Sequence, residues 1–357
     1  MEKQNMSQMY TSGRNGTRRS IKSIVLAIII IMAAFNIVTS YQEKTLLADH
    51  GYSRLINIGD YKLNITVSGN PDGEHRLVGI SGLRHGDFAI STSKMTELLS
   101  ENNQIVIVDR AGYGLSDDTL KTPTVAKVVE DYRAALTAAG IKAPYILFAE
   151  HFGGVYATYW EVCYPSEIEA IVFFDGTEMH ESEAEARKLD KRSYLSEAAL
   201  SLAAKVGFSR LLQSSEYPCY PTGYSLDEQT MGEGLTAKTL DSFAPVIEMS
   251  KQWDNIEETY SEVSRNTIPK LYITSDERWA HKAPTPSGNS YDFGEVVRLT
   301  VRNPDDTLTP YLDQMGNCRL TYVGGVGHLY EYRPDECARI IKSFLNNLEH
   351  YKKMAVN

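Results

Sequence analysis

The segment 145–154 places a titratable side chain where a strand gives way to a helix. Its residues, YILFAEHFGG, start as an apolar strand, turn after Ala149 and continue into a predicted helix. Small residues on both sides of the turn, such as Ala149 and Gly153, permit the tight backbone bend that exposes a nucleophile. The pattern G-x-S-x-G, which usually carries this bend, here reads A-E-H-F-G. His151 therefore stands where a serine is expected.

Alternating strand and helix patterns surround the bend. A hairpin signal, Gly59-Asp60, separates two short alternating segments within 53–68. Short apolar strands separated by amphipathic helices then indicate a mostly parallel sheet with helices on both faces. Ligands of such sheets bind beyond the carboxyl ends of the strands, so the loops after the strands are the expected site of chemistry. The predicted strands are 76–81, 104–108, 145–149, 168–174, 269–274 and 319–323, and the predicted helices are 87–100, 124–140, 152–164, 306–316 and 334–350.

Residues 177–266 interrupt this alternation. The region leans towards helix, is rich in charge, Tyr and Ser, and contains no apolar strand of the buried type. Because it lies between the fourth and fifth parallel strands, we expect a helical lid over the open end of the sheet. Its tyrosines would suit an amphipathic small ligand, although tyrosines also pack ordinary lids. They include Tyr194, Tyr217, Tyr220 and Tyr224.

Three segments together resemble the α/β-hydrolase superfamily, and the resemblance covers residues 55 to 348. The segment 106–116 (VIVDRAGYGLS) resembles the family's strand-four signature, in which we expect Asp109 to hold loops together. The segment 147–154 resembles the nucleophile elbow, and 325–328 (GVGH) resembles the segment that bears the catalytic base, here His328. The resemblance implies an α/β-hydrolase fold and points to the esterase and proline-iminopeptidase-like branch, whose substrates are small esters or amides.

The same resemblance assigns roles to residues on neighbouring loops. Gly82 and Leu83 lie in the segment similar to the family's oxyanion loop, where the backbone N–H groups of Leu83 and Phe152 would face a developing negative oxygen. The acid of the triad remains open. Asp276, after the strand 269–274, is preferred, and Asp175, at the end of the preceding strand, is the alternative.

A histidine at the elbow removes the basis of serine chemistry. A serine hydroxyl becomes an acyl carrier when a base takes its proton, whereas imidazole is larger and its reactive nitrogen lies farther from the backbone. We therefore interpret the chain first as a pseudoenzyme that binds a ligand or partner. The alternative is an active hydrolase of small esters or amides, with a degenerate triad of His151, Asp276 and His328. A second alternative is a metal site on His151, His328 and a carboxylate such as Asp276 or Glu150.

The N-terminal residues predict a membrane anchor. Residues 1–22 carry five basic side chains and one acidic one, and 23–41 form an uncharged run. As a helix this run spans about 28 Å, close to the hydrocarbon thickness of a bilayer. We expect a single-pass protein with its N-terminus in the cytoplasm and its domain outside. A cleaved signal peptide and a secreted domain are the alternative. Residues 42–52 are predicted as a tether and 53–350 as the hydrolase domain, with the lid inserted at 177–266.

Composition limits the partners. The formal net charge of −10 argues against nucleic acid, because phosphate binding needs a basic face. Four cysteines without C-x-x-C spacing argue against a zinc knuckle or redox pair, and we expect Cys163 and Cys337 to be small core residues. The expected partners are the membrane and a small ester-like or amide-like molecule. No cofactor is implied.

Overall fold

The computed structural model describes residues 2–177, 179, 220–275, 308–324 and 328–355, together with 199, 201, 202, 204, 207 and 210. The strands are β1 (Leu55–Asn57), β2 (Lys62–Gly69), β3 (His75–Ile80), β4 (Asn103–Val108), β5 (Tyr145–Glu150), β6 (Ile168–Phe174), β7 (Lys270–Ser275) and β8 (Cys318–Val323). The helices are α1 (Glu2–Asp49), α2 (Phe88–Ser91), α3 (Ser93–Leu99), α4 (Val125–Ala139), α5 (Gly153–Cys163), α6 (Leu226–Leu240), α7 (Ala244–Glu262), α8 (Leu308–Met315), α9 (Leu329–Tyr332), α10 (Pro334–Asn346) and α11 (Leu348–Met354).

The strands form one sheet in the order β1-β2-β4-β3-β5-β6-β7-β8. The pairs β1–β2 and β2–β4 are antiparallel, and the pairs from β4–β3 to β7–β8 are parallel. The predicted hairpin and mostly parallel sheet are confirmed. Because the parallel strands all end at one edge, the loops after β3, β5, β6, β7 and β8 meet there.

Hydrophobic cores cover both faces of the sheet. Successive residues of β5 point to opposite faces, so that Leu147 packs with α4 and α5, whereas Phe148 packs with α3 and α10. Helix α10 buries Cys337, Ile340, Ile341, Phe344 and Leu345, the spacing of an apolar helix face. Cys337 is therefore a core residue as predicted. The prediction for Cys163 is wrong, because this residue ends α5 in an exposed position.

Helix α1 continues well beyond the apolar run. The predicted tether over 42–52 is wrong for most of its length, because the helix ends only at Asp49 and buries Glu43 and Leu47. The Arg210 guanidinium donates to Asn36, Ser40 and both carboxylate oxygens of Glu43, over 2.6 to 3.0 Å. The last turns of α1 thus belong to the folded domain.

The apolar part of α1 faces outward. Among the described residues, one helical segment, Ile21–Asp49, is long and apolar enough to cross a membrane, and a signal sequence would share these properties. Its large apolar side chains are mostly exposed, including Ile24, Leu26 and Ile31 at 58 to 67%. Such a surface is unusual for a soluble helix.

Candidate active site

The chain between β5 and α5 forms a strained bend. His151 has a φ of +44°, a region that L-residues rarely adopt. Helix α5 begins at Gly153, where a Cβ atom would lie 2.3 Å from the carbonyl oxygen of Ile80 in β3. Only glycine fits this close approach. The bend therefore has the tight backbone of a nucleophile elbow, with an imidazole at its tip.

The His151 ring contacts two hydrogen-bond acceptors. Its Nδ1 lies 3.1 Å from the backbone oxygen of Asp175, and its Nε2 lies 3.4 Å from Oε1 of Glu150. A carbonyl oxygen only accepts, so Nδ1 carries the proton in the first contact. The side chain is 48% exposed and stands at the wall of a cavity.

Glu150 is the centre of a cluster that also contains His85, His151 and His328. Its carboxylate is buried, and it accepts a hydrogen bond of 2.6 Å from the backbone N–H of Gly82. His85 Nδ1 lies 3.0 Å from Oε2, and His328 Nδ1 lies 3.2 Å from Oε1. Burial raises the pKa of Glu150, but the three neighbouring imidazoles outweigh it and hold the pKa well below its ordinary value. The carboxylate is therefore ionised.

His85 joins the cluster to a second carboxylate. Its Nε2 lies 3.2 Å from Oδ1 of Asp87, while its Nδ1 faces Glu150. Burial alone lowers the pKa of His85, but attraction to Glu150 and Asp87 raises it well above its ordinary value. His85 is not among the site residues predicted from the sequence. Its position in the loop after β3, at the carboxyl edge of the sheet, was the available signal.

His328 reaches the site from the loop after β8. Its Nδ1 contacts both Glu150 and, at 2.6 Å, the hydroxyl of Tyr330. Asp276, the preferred acid, lies outside the described residues. The alternative acid, Asp175, accepts a hydrogen bond of 2.5 Å from Thr274 Oγ1. In the described part of the chain, the carboxylate in contact with His328 is thus Glu150, the residue before the elbow tip.

Arg110 stabilises the oxyanion-like loop, which contains Gly82 and Leu83. The guanidinium of Arg110 donates to the backbone oxygens of Ser81 and Gly82, at 2.6 and 2.8 Å, and pairs with Glu248 at 2.9 Å. The Gly82 N–H points at the Glu150 carboxylate, so this donor faces a permanent anion.

Asp109 connects neighbouring segments of the chain, as the sequence predicts. Its Oδ2 accepts from the backbone N–H of Leu115 and from Asn64 Nδ2, both at 3.0 Å. Burial raises its pKa to about 7. Asp109 therefore joins β2 to the loop after β4.

A cavity of about 790 Å³ opens above the cluster. Leu83 and Phe152, the residues assigned to the oxyanion site, lie in its wall. So do Thr236 of α6 and Trp253 of α7, which belong to the predicted lid. Glu331 also lines it, and burial raises the pKa of Glu331 to about 7 against the attraction of His328.

Two described tyrosines of the region predicted as a lid pack against the loop after β3 and helix α2. Tyr220 donates its hydroxyl to Asp87, and Tyr224 donates to the backbone oxygen of Ser91 at 2.6 Å. Both rings are buried. Tyr194 and Tyr217 lie outside the described residues.

Comparisons with known proteins identify chains with a similar sequence or a similar fold. No family model matches the sequence. An uncharacterized protein, YbdG of Bacillus subtilis (strain 168), is 29% identical over 333 residues, which cover 92% of this chain and 96% of YbdG. Two solved haloalkane dehalogenases superpose on 83% of the chain: DbeA from Bradyrhizobium elkani (TM-score 0.57, 13% identity, 98% of that chain) and DatA from Agrobacterium tumefaciens C58 (0.58, 14%, 96%). At these identities the likeness establishes architecture only, and with the sheet order and the elbow it shows that the chain has the α/β-hydrolase fold.

Proposed function

We propose that the protein is a membrane-anchored pseudoenzyme that binds a small ester-like or amide-like ligand and does not perform serine-type acyl transfer. The observation that carries this proposal is the pair of acceptors around His151. The Asp175 carbonyl and the Glu150 carboxylate face opposite ring nitrogens, at 3.1 and 3.4 Å. Both ring nitrogens therefore face protein oxygens, and the elbow tip carries no hydroxyl that could become an acyl carrier.

The neighbouring groups support the same conclusion. The N–H of Gly82, next to the expected oxyanion donor Leu83, donates to the Glu150 carboxylate at 2.6 Å. An anion formed in the same place would meet the negative charge of Glu150. The protein thus has the backbone bend of an acyl-transfer site, but His151 at the bend and Gly82 in the oxyanion-like loop both contact Glu150.

The cavity supports the choice of ligand. Leu83, Phe152, Trp253 and Ile256 offer apolar surface, while Thr236, Gln252 and His328 line the same space with polar side chains. An ester or amide has an apolar body and a carbonyl oxygen that accepts a hydrogen bond, so it matches both parts of the wall. We infer that α6 and α7 act as the lid of this cavity.

The exposed apolar face of α1 supports anchoring. Cleavage near residue 40, as a signal peptide would require, would detach Asn36 and Ser40 from their contacts with Arg210. A retained helix keeps these contacts. The basic residues before the apolar run favour a cytoplasmic N-terminus and an external domain.

A serine-reactive fluorophosphonate and a set of short-chain aryl esters test the central claim. We expect the wild-type protein to show neither labelling nor turnover, and His151→Ser to be labelled, with His151→Ala as the matched unlabelled control. Fluorescent acyl-amide ligands should bind the wild-type protein, and Trp253→Ala should weaken them. Ester turnover by the wild-type protein that is abolished in His328→Gln would overturn the pseudoenzyme proposal and establish hydrolysis by the histidines.

A further inference from the structure

We propose that Glu150, His85 and His328 form a binding site for one divalent transition metal ion of the zinc type, with His151 as a fourth ligand. The inference rests on the proposed function, since it describes a site that binds rather than acylates. The ligand atoms of the first three residues all lie within 4.8 Å of one another. His151 Nε2 adds a further nitrogen, 3.4 Å from Glu150.

The distances suit a small cation. Zinc binds imidazole nitrogen and carboxylate oxygen at about 2.0 to 2.2 Å, so tetrahedral geometry separates its ligand atoms by about 3.4 Å. Around Glu150 the three imidazole nitrogens lie at 3.0, 3.2 and 3.4 Å. His85 faces one carboxylate oxygen, and His328 and His151 face the other. His85, Glu150 and His328 are therefore close enough to share one ion, whereas His151 lies outside this group of three and completes the set once its half-exposed ring turns towards the ion.

Independent support comes from the outer contacts of the rings. A metal-binding histidine usually donates its other N–H to a carboxylate or a carbonyl, which fixes the ring and its tautomer. His85 has this arrangement with Asp87, at 3.2 Å from Nε2, and His151 has it with the Asp175 carbonyl, at 3.1 Å from Nδ1. Both rings therefore direct their remaining nitrogen at Glu150. Tyr220, from the predicted lid, in turn donates to Asp87.

The site is closed on one side and open on the other. The side chain of His85 is 10% exposed, whereas those of His328 and His151 are 37% and 48% exposed. The cavity of about 790 Å³ adjoins the exposed rings, so an ion there could also accept an oxygen atom of a bound ligand. Imidazole and carboxylate ligands favour Zn²⁺ and its first-row neighbours over Mg²⁺ or Ca²⁺.

Metal titration of the full-length protein in detergent tests the proposal. After chelator treatment and dialysis, we expect calorimetric titration with Zn²⁺ to give one equivalent per chain, and Co²⁺ to give visible bands of tetrahedral coordination. His328→Gln should weaken binding at least 100-fold, and Asp87→Asn, a positioning variant, about 10-fold to 100-fold.

The matched control is His75→Gln. His75 pairs with Glu169 at 3.0 Å, a second histidine–glutamate contact that does not involve the cluster. The His75→Gln variant should still bind one metal ion per chain. Stoichiometry well below one in a folded wild-type protein, or equal binding by His328→Gln and the wild-type protein, would overturn the metal site. Because the readout is independent of ester turnover and fluorophosphonate labelling, its failure is distinct from failure of the proposed function.

Discussion

The contact between Arg210 and helix α1 allows a quantitative test of how the end of this helix packs on the domain. The guanidinium holds Glu43 with two hydrogen bonds of 2.7 Å, and the two side chains are only 10% and 8% exposed. Replacing Arg210 by Met leaves Glu43 in this site without its counter-ion. Removing one partner of a buried pair costs about 3–5 kcal/mol. Because both side chains keep some exposure, we expect the lower end, about 3 kcal/mol.

A double-mutant cycle isolates the pair. Urea unfolding of the detergent-solubilised protein, followed by tryptophan fluorescence, gives the free energy of unfolding for Arg210→Met, Glu43→Gln and the double variant. We expect the double variant to be more stable than the sum of the single losses predicts, by about 2 kcal/mol, because it leaves no uncompensated charge. Single losses below about 1 kcal/mol, in the range of exposed pairs, together with strict additivity, would show that the end of α1 does not pack on the domain.

Three further perturbations test the site and the anchor. Burial raises the pKa of Glu331 to about 7, so the folded state binds more protons than the unfolded state between about pH 4.5 and 7. The free energy of unfolding should therefore fall as pH rises through this window. Thermal melts at several pH values should show a smaller slope for Glu331→Gln than for the wild-type protein. Gly153→Ala would place a Cβ 2.3 Å from the Ile80 oxygen, so we expect a loss of more than about 1 kcal/mol and a visibly lower melting temperature; an unchanged melt would refute the tight elbow. The full-length protein should stay with membranes after a carbonate wash, whereas a chain starting at residue 42 should not; release of the full-length protein would contradict the anchor.

The sequence predicted the elements that carry a strong local pattern. Helix α4 was expected over 124–140 and extends over Val125–Ala139, since the Thr124 side chain caps its start and Gly140, at a φ of +79°, ends it. The boundaries of the six predicted parallel strands shift by one residue at most, because apolar runs fix the buried strands. The prediction of a tether at 42–52 rests on the polarity of this segment, but Glu43 is polar and still buried against Arg210.

The site was only partly predictable, because its key contacts are not local in sequence. The elbow and His328 follow from motifs, but His85 and Glu150 are 65 residues apart and meet only in the folded sheet. The acid was sought after β7, where related folds place it, whereas the described partner of His328 is the residue beside the elbow tip. A side chain that points inward from the end of a strand cannot be distinguished by sequence from one that points into solvent.

In the metal-free protein, His85 links the carboxylates of Asp87 and Glu150, and these contacts decide how the elbow will respond to substitution. His85 lies between two buried carboxylates, so His85→Gln strips both of their cation and should cost about 3–5 kcal/mol. His151 is half-exposed and at 3.4 Å from Glu150, which keeps His85 and His328 when the ring is removed. His151→Ser should therefore unfold within about 1 kcal/mol of the wild-type protein in urea. If it loses as much stability as His85→Gln, the elbow imidazole is a structural member of the cluster, and a serine at this position cannot report on latent acyl transfer.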